Sequence, residues 1–162
     1  MTHLLRAAWI VATLAAVPAL AAENALLTAM ATCQQSWLDW QGDPAKDEAF
    51  ATNFKADFMP NANGSSFVPR RPTTLLGRKV IGVDPQNVGT ALGFSVLREG
   101  NLDDAKAAFE KRLRKTFTKC ESSSDGASCE MAIGDKKTIF LMGSPDKSAK
   151  ATLVGCYYYY ER

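Results

Sequence analysis

The chain has 162 residues, of which 19 are Lys or Arg and 17 are Asp or Glu, for a formal net charge of +2. That near-balance argues against a dedicated nucleic-acid binder, which carries a marked positive excess. The only histidine, His3, falls in a predicted leader, so the expected mature domain excludes Ser-His and Cys-His catalysis and any His-containing metal site.

The leader is read over residues 1–21. Arg6 supplies a short positive region, and Ala7–Val17 is apolar or small apart from Thr13. Pro18 breaks the run, and Ala19-Leu20-Ala21 matches the small-x-small pattern that signal peptidase accepts. Cleavage after Ala21 leaves residues 22–162 as one domain, long enough to bury a hydrophobic core. No run approaches the ~20 apolar residues of a transmembrane helix, so no stable membrane insertion is expected after the leader is removed. The expected location is periplasmic or secreted.

In that setting the four cysteines read as two disulfides. Spacing favours Cys120–Cys129, which closes a small loop, and leaves Cys33–Cys156 to tie the first helix to the last strand. A zinc site is not expected, because the cysteines lack close CxxC pairs and the compartment is oxidising.

Glu23–Gln41 is predicted as the first helix. Leu26, Met30, Cys33, Trp37 and Trp40 recur at steps of four and three and line one face, and Gly42 ends the pattern. Asp43-Pro44 starts a second helix as N-cap and first helical residue. Phe50, Phe54 and Phe58 follow at four-residue spacing as a core stripe, and Pro60 stops it. The short turn between these helices predicts an αα-hairpin.

Asn61–Thr74 is predicted to be irregular. Asn61, Asn63, Gly64, Ser65 and Ser66 favour turns, while Pro69 and Pro72 hinder strand pairing. Asn63-Gly64-Ser65 also fits the N-glycosylation acceptor pattern. Arg70, Arg71, Arg78 and Lys79 concentrate positive charge around this loop. Guanidinium groups present paired donors to two oxygens. These four are therefore candidate ligand residues for a phosphate, a carboxylate or an anionic glycan, and loops carry binding residues more often than rigid elements do.

Arg78–Asp84 is predicted as a strand around Val80, Ile81 and Val83. A second lies within Asn87–Arg98, with Leu92, Phe94 and Val96 facing one way. Their short connection predicts antiparallel neighbours. Leu102–Thr118 is the central helix, with Leu102, Ala105, Phe109 and Leu113 on one stripe. Asn101 is its N-cap. Asp103 and Asp104 suit its positive end, and Lys111, Arg112, Arg114 and Lys115 its negative end. Glu110 and Arg114 have the spacing of a helical ion pair.

Glu121–Gly126 is a polar loop between cysteines. Three strands follow, around Ser128–Ile133, Thr138–Met142 and Ala151–Tyr160, as an antiparallel meander. Alternation puts Tyr157 and Tyr159 on the face opposite Cys156, Tyr158 and Tyr160. Exposed tyrosines in a row stack on sugar rings or hold a peptide, so Tyr157 and Tyr159 join the candidate ligand residues.

The expected fold is α+β: a mainly antiparallel four- or five-stranded sheet with helices packed on one face, in the order α-α-β-β-α-β-β-β. No cofactor motif is present, and Ser95 and Ser144 lack both a Gly-x-Ser-x-Gly context and a histidine. The function expected is that of an exported, non-enzymatic binding or inhibitor protein acting on an envelope component or another protein. Its partner would be a protein or an envelope glycan, not a nucleic acid. A small hydrolase using two of Asp39, Asp43, Asp57, Asp84, Glu99 and Glu130 is the first alternative, although no spacing selects a pair. An envelope structural or assembly accessory is the second.

Overall fold

The computed structural model describes residues 21–36, 39, 43–64, 66–85, 87–88, 91–144, 146 and 148–158. Residues 1–20 of the predicted leader, Trp37, Trp40, Tyr159 and Tyr160 lie outside the described residues.

The first helix, α1 (Ala25–Ala31), starts where the Asn24 side chain accepts the Leu27 amide. It stops ten residues short of the predicted end, because Cys33 adopts a left-handed φ of 57° to meet its disulfide partner. Helix α2 (Pro44–Asp57) begins as expected, with the Asp43 side chain accepting the Lys46 amide and proline in the first turn. Its Phe50 and Phe54 rings stack 5.6 Å apart, and Phe54 stacks on Phe58 at 4.7 Å. Helix α3 (Leu102–Leu113) is capped by Asn101, whose Oδ1 accepts the Asp104 amide at 2.9 Å. It ends before the predicted Thr118, at Arg114 with φ 54°. Glu110 pairs with Lys106 and accepts the Phe117 amide, and the expected Glu110–Arg114 pair is replaced by these contacts.

The four- or five-stranded sheet with helices on one face is overturned. The described residues form an eleven-stranded mixed sheet. Its regular half comprises β7 (Ala91–Glu99), β8 (Lys119–Ser122), β9 (Ala127–Ile133), β10 (Lys137–Gly143) and β11 (Ala151–Tyr158). They lie side by side in the order β7-β11-β10-β9-β8, all antiparallel. The meander β9–β10–β11 and the strand β5 (Arg78–Asp84) beside β7 are as expected.

The other half is built from pieces too short to show alternation. These are β1 (Ala22–Glu23), β2 (Phe58–Pro60), β3 (Phe67–Pro69) and β4 (Thr73–Leu75), with β6 (Asn87–Val88) on β7. The β1–β4 pair is parallel, which makes the sheet mixed. Pro60 and Pro69 sit in the β2–β3 hairpin, at the margin of the sheet where a missing amide is tolerated. Its turn closes with the Asn61 amide on the Ser66 carbonyl at 2.8 Å.

Of the three helices described, α1 and α3 lie over the regular strands, on the face carrying Phe94, Val96, Val154, Cys156, Ile139 and Leu141. Helix α2 instead packs on the β2–β3 hairpin, where Phe54 meets the Phe67 ring edge-on at 5.0 Å. The helices therefore cover different parts of the sheet, α1 and α3 the regular strands and α2 the short hairpin. One continuous core runs beneath all of them, from Phe50 through Leu27 and Phe109 to Tyr158. Both disulfides pair as expected, Cys33–Cys156 and Cys120–Cys129. The second joins residues directly opposite each other in β8 and β9.

Candidate functional site

The positive loop lies where the short strands meet β5. Strand β3 pairs with β5 at Phe67–Val83, and β4 pairs at Thr74–Lys79 and Leu75–Arg78. Among the described residues, neither covers Val80–Gly82, and β5 bulges against β7 at the same place. The result is an open cavity of about 360 Å³ lined by Arg70, Arg71 and Lys79, with Pro69, Pro72 and the exposed Ile81 as its apolar parts.

Three of the four predicted cations thus share one groove. Their local ties differ. Arg70 Nε donates to the Lys55 and Phe58 carbonyl oxygens, both at 3.1 Å, and so closes the C-terminal end of α2. Arg71 is 84% exposed and stands 3.8 Å from the Asp57 carboxylate, which also accepts Asn24 Nδ2. Lys79 is 63% exposed and stands 3.8 Å from Glu99. Arg78 leaves the group and pairs with Asp104 on α3 at 3.1 Å.

Tyr157 is elsewhere, in the middle of the regular half. Its hydroxyl donates to Glu130 Oε1 at 3.0 Å, and its ring lies against Phe140. Lys119 donates to the other Glu130 oxygen at 3.0 Å. The structure does not bring Tyr157 together with the arginine loop, and Tyr159 lies outside the described residues.

One charged residue was not anticipated. Arg98 is 1% exposed and stands in β7 between Val80 of β5 and Thr152 of β11. Among the described residues, its Nε and Nη1 have no hydrogen-bond partner. Burial lowers its pKa from the ordinary arginine value and the Arg78 charge lowers it further, while the Asp104 and Glu23 carboxylates raise it. Glu23 is itself fully engaged. Its Oε1 accepts Thr28 Oγ1 at 2.8 Å and the Leu76 amide at 2.9 Å, and its Oε2 accepts the Gly77 amide and Thr74 Oγ1. A sequence signal for Arg98 exists: it is the next member of the Leu92, Phe94, Val96 alternation, so it must share their face.

The carboxylates considered for hydrolysis are spread over separate elements. Asp39 accepts Lys137 Nζ at 2.7 Å and Ser36 Oγ at 2.9 Å. Burial pulls its pKa up, yet these hydrogen bonds and the Lys137 charge outweigh that and hold it below the usual value. The Asp43 carboxyl is held low by hydrogen bonds from Lys46. Asp57, Glu99 and Glu130 have the partners given above. A general acid needs the opposite displacement, upward by burial.

Among the described residues, no cluster of three His, Cys, Asp or Glu side chains is placed to hold a metal ion, and no helix is long and apolar enough to cross a membrane. The two disulfides fit an extracellular or periplasmic protein. No protein family matches the chain, and neither curated proteins nor solved structures include a match.

Proposed function

We propose that the chain is an exported, non-enzymatic binding protein that takes an acidic group of a protein or an envelope glycan into the groove at Arg70, Arg71 and Lys79. The observation that carries this is the state of Arg71 and Lys79. Both line one concave surface, both are mostly exposed, and among the described residues each has a 3.8 Å carboxylate as its one charged partner. Exposed pairs of that kind contribute about 0–1 kcal/mol, so a ligand carboxylate, sulfate or phosphate displaces Asp57 or Glu99 at little cost. Ile81, Pro69 and Pro72 supply apolar contact beside the charges, the mixture expected of a recognition surface.

The test compares the oxidised mature protein with an Arg71→Gln/Lys79→Gln variant as baits for envelope extracts. Arg70 is left intact because it closes α2. The wild type is expected to retain a ligand that elutes as salt rises. The variant should lose at least tenfold in affinity with an unchanged melting temperature. Equal retention by the two baits removes the groove from the account.

A further inference from the structure

Arg98 presents a physical problem that the groove does not address. A guanidinium carries five N–H donors, and buried polar groups are nearly always hydrogen-bonded. Arg98 is 1% exposed, and among the described residues its Nε and Nη1 are unpartnered. Its charge is offset through space by Asp104 and Glu23, but both oxygens of Glu23 and Oδ2 of Asp104 serve other donors. Glu23 holds Thr28, Thr74, Leu76 and Gly77, and Asp104 Oδ2 holds Arg78. The charge is compensated, while the hydrogen-bonding capacity of Nε and Nη1 is not met among the described residues.

We propose that Arg98 and Arg78 form a second anion site, for a carboxylate or phosphate group, and that Asp104 is the carboxylate that closes it. Val80 is directly opposite Arg98 in the β5–β7 ladder, and Arg78 is two residues from Val80 on the same strand face. The two arginines are therefore diagonal neighbours, within reach of long side chains. Their forks match the paired oxygens of a carboxylate or phosphate. The first turn of the twelve-residue helix α3 begins beside them, and its positive end favours an anion. At Gly100, φ 100°, a Cβ would lie 3.2 Å from Asp104 Oδ2 and 3.6 Å from Arg78 Nε, so the glycine lets the backbone pass close over the Arg78–Asp104 pair.

The closure is light. Arg78 and Asp104 are 50% and 43% exposed, and opening an exposed pair of this kind reduces ligand affinity by at most about fivefold. An incoming oxyanion takes the place of the Asp104 carboxylate on Arg78 and supplies the acceptor that Arg98 lacks. This site is distinct from the groove, since Lys79 and Arg71 play no part in it.

The test titrates the oxidised mature protein with inorganic phosphate, and separately with acetate, at constant ionic strength, followed by calorimetry and by melting temperature. Wild type should bind phosphate or acetate, and whichever gives the response identifies the group. Asp104→Asn should bind it about two- to fivefold more tightly. Arg98→Met should lose the response, and Arg78→Gln should weaken it at least fivefold, which keeps the test open should Arg98→Met fold poorly. The titrations are repeated in the Arg71→Gln/Lys79→Gln background, which removes any anion response of the groove, and the response that remains should keep its dependence on Arg98, Arg78 and Asp104. The proposal is overturned if wild type responds to neither anion, if Asp104→Asn binds no more tightly, or if Arg98→Met binds like wild type. A phosphate-soaked crystal with water alone on Arg98 Nε and Nη1 overturns it as well.

Discussion

The two halves of the sheet are held together by different means. Strands β7, β11, β10 and β9 are seven to nine residues long and pair through unbroken registers. Their stability is distributed over many backbone hydrogen bonds and a wide buried face. Strands β1 to β4 have two or three residues each, too few for ladders of that kind. There the chain is fixed by single side chains: Glu23 on four donors, Asn24 on Asp57, and Arg70 on the end of α2. A distributed structure tolerates the loss of any one exposed contact, whereas a pinned structure depends on its pins.

The largest expected effect breaks the link between the two halves. Replacing Cys33 and Cys156 by alanine should cost about 4.9 kcal/mol on loop-closure arithmetic, against about 2.7 kcal/mol for Cys120 and Cys129. Urea unfolding of the two double variants measures the difference, and an equal loss would show that the long bridge adds nothing beyond the short one.

Two glycine substitutions then probe the halves directly. A Cβ at Gly155 would overlap the Phe94 carbonyl oxygen and press on the Phe140 ring, whereas one at Gly82 would meet only the Phe67 carbonyl oxygen at an ordinary 3.6 Å. Gly155→Ala should cost about 1–3 kcal/mol or more and Gly82→Ala about 0.5 kcal/mol or less. Thermal melts giving the reverse order would contradict the close approach of β7 and β11.

Glu23→Ala removes the main pin of the short-strand half. It should cost about 1–3 kcal/mol and speed amide exchange at Leu76 and Gly77 while leaving β9 to β11 protected. Exchange that rises uniformly would mean the two halves open as one unit.

The smallest effect concerns Asp39, whose carboxyl is held below its ordinary pKa of 3.8. A lowered folded-state pKa stabilises above the unfolded value, and that contribution is lost as pH falls through the folded value. Because the pair with Lys137 is partly exposed, Asp39→Asn should cost less than about 1 kcal/mol at pH 7. The gap between variant and wild type should close as pH drops below 3.8; a gap that persists at pH 2 would rule out charge as its source.

The same division separates what was legible in the sequence from what was not. The caps at Asp43 and Asn101, the meander and the disulfide pairing rest on local chemistry or on long alternation, and both survive into the structure. Strands such as Phe58–Pro60 and Phe67–Pro69 contain prolines and only three residues, so no period marks them. Their pairing is dictated by tertiary contacts such as Phe54 on Phe67. For the candidate site, residue type was legible and partnership was not. Arg78 and Lys79 look like one cluster in the sequence, yet the first turns to Asp104 and the second to Glu99. Arg98 shares the parity of Phe94 and Val96, but parity alone does not say that a guanidinium at that position stays buried.

The Cys33–Cys156 bond has a mechanical meaning. It joins residues separated by 123 positions, so tension applied at the chain ends passes through two sulfur atoms and bypasses nearly the whole sheet. An oxidised molecule stretched by its termini should pay out only the short segments outside the bridge. Reduction would release a further contour of roughly 400 Å, a step that single-molecule force measurements resolve.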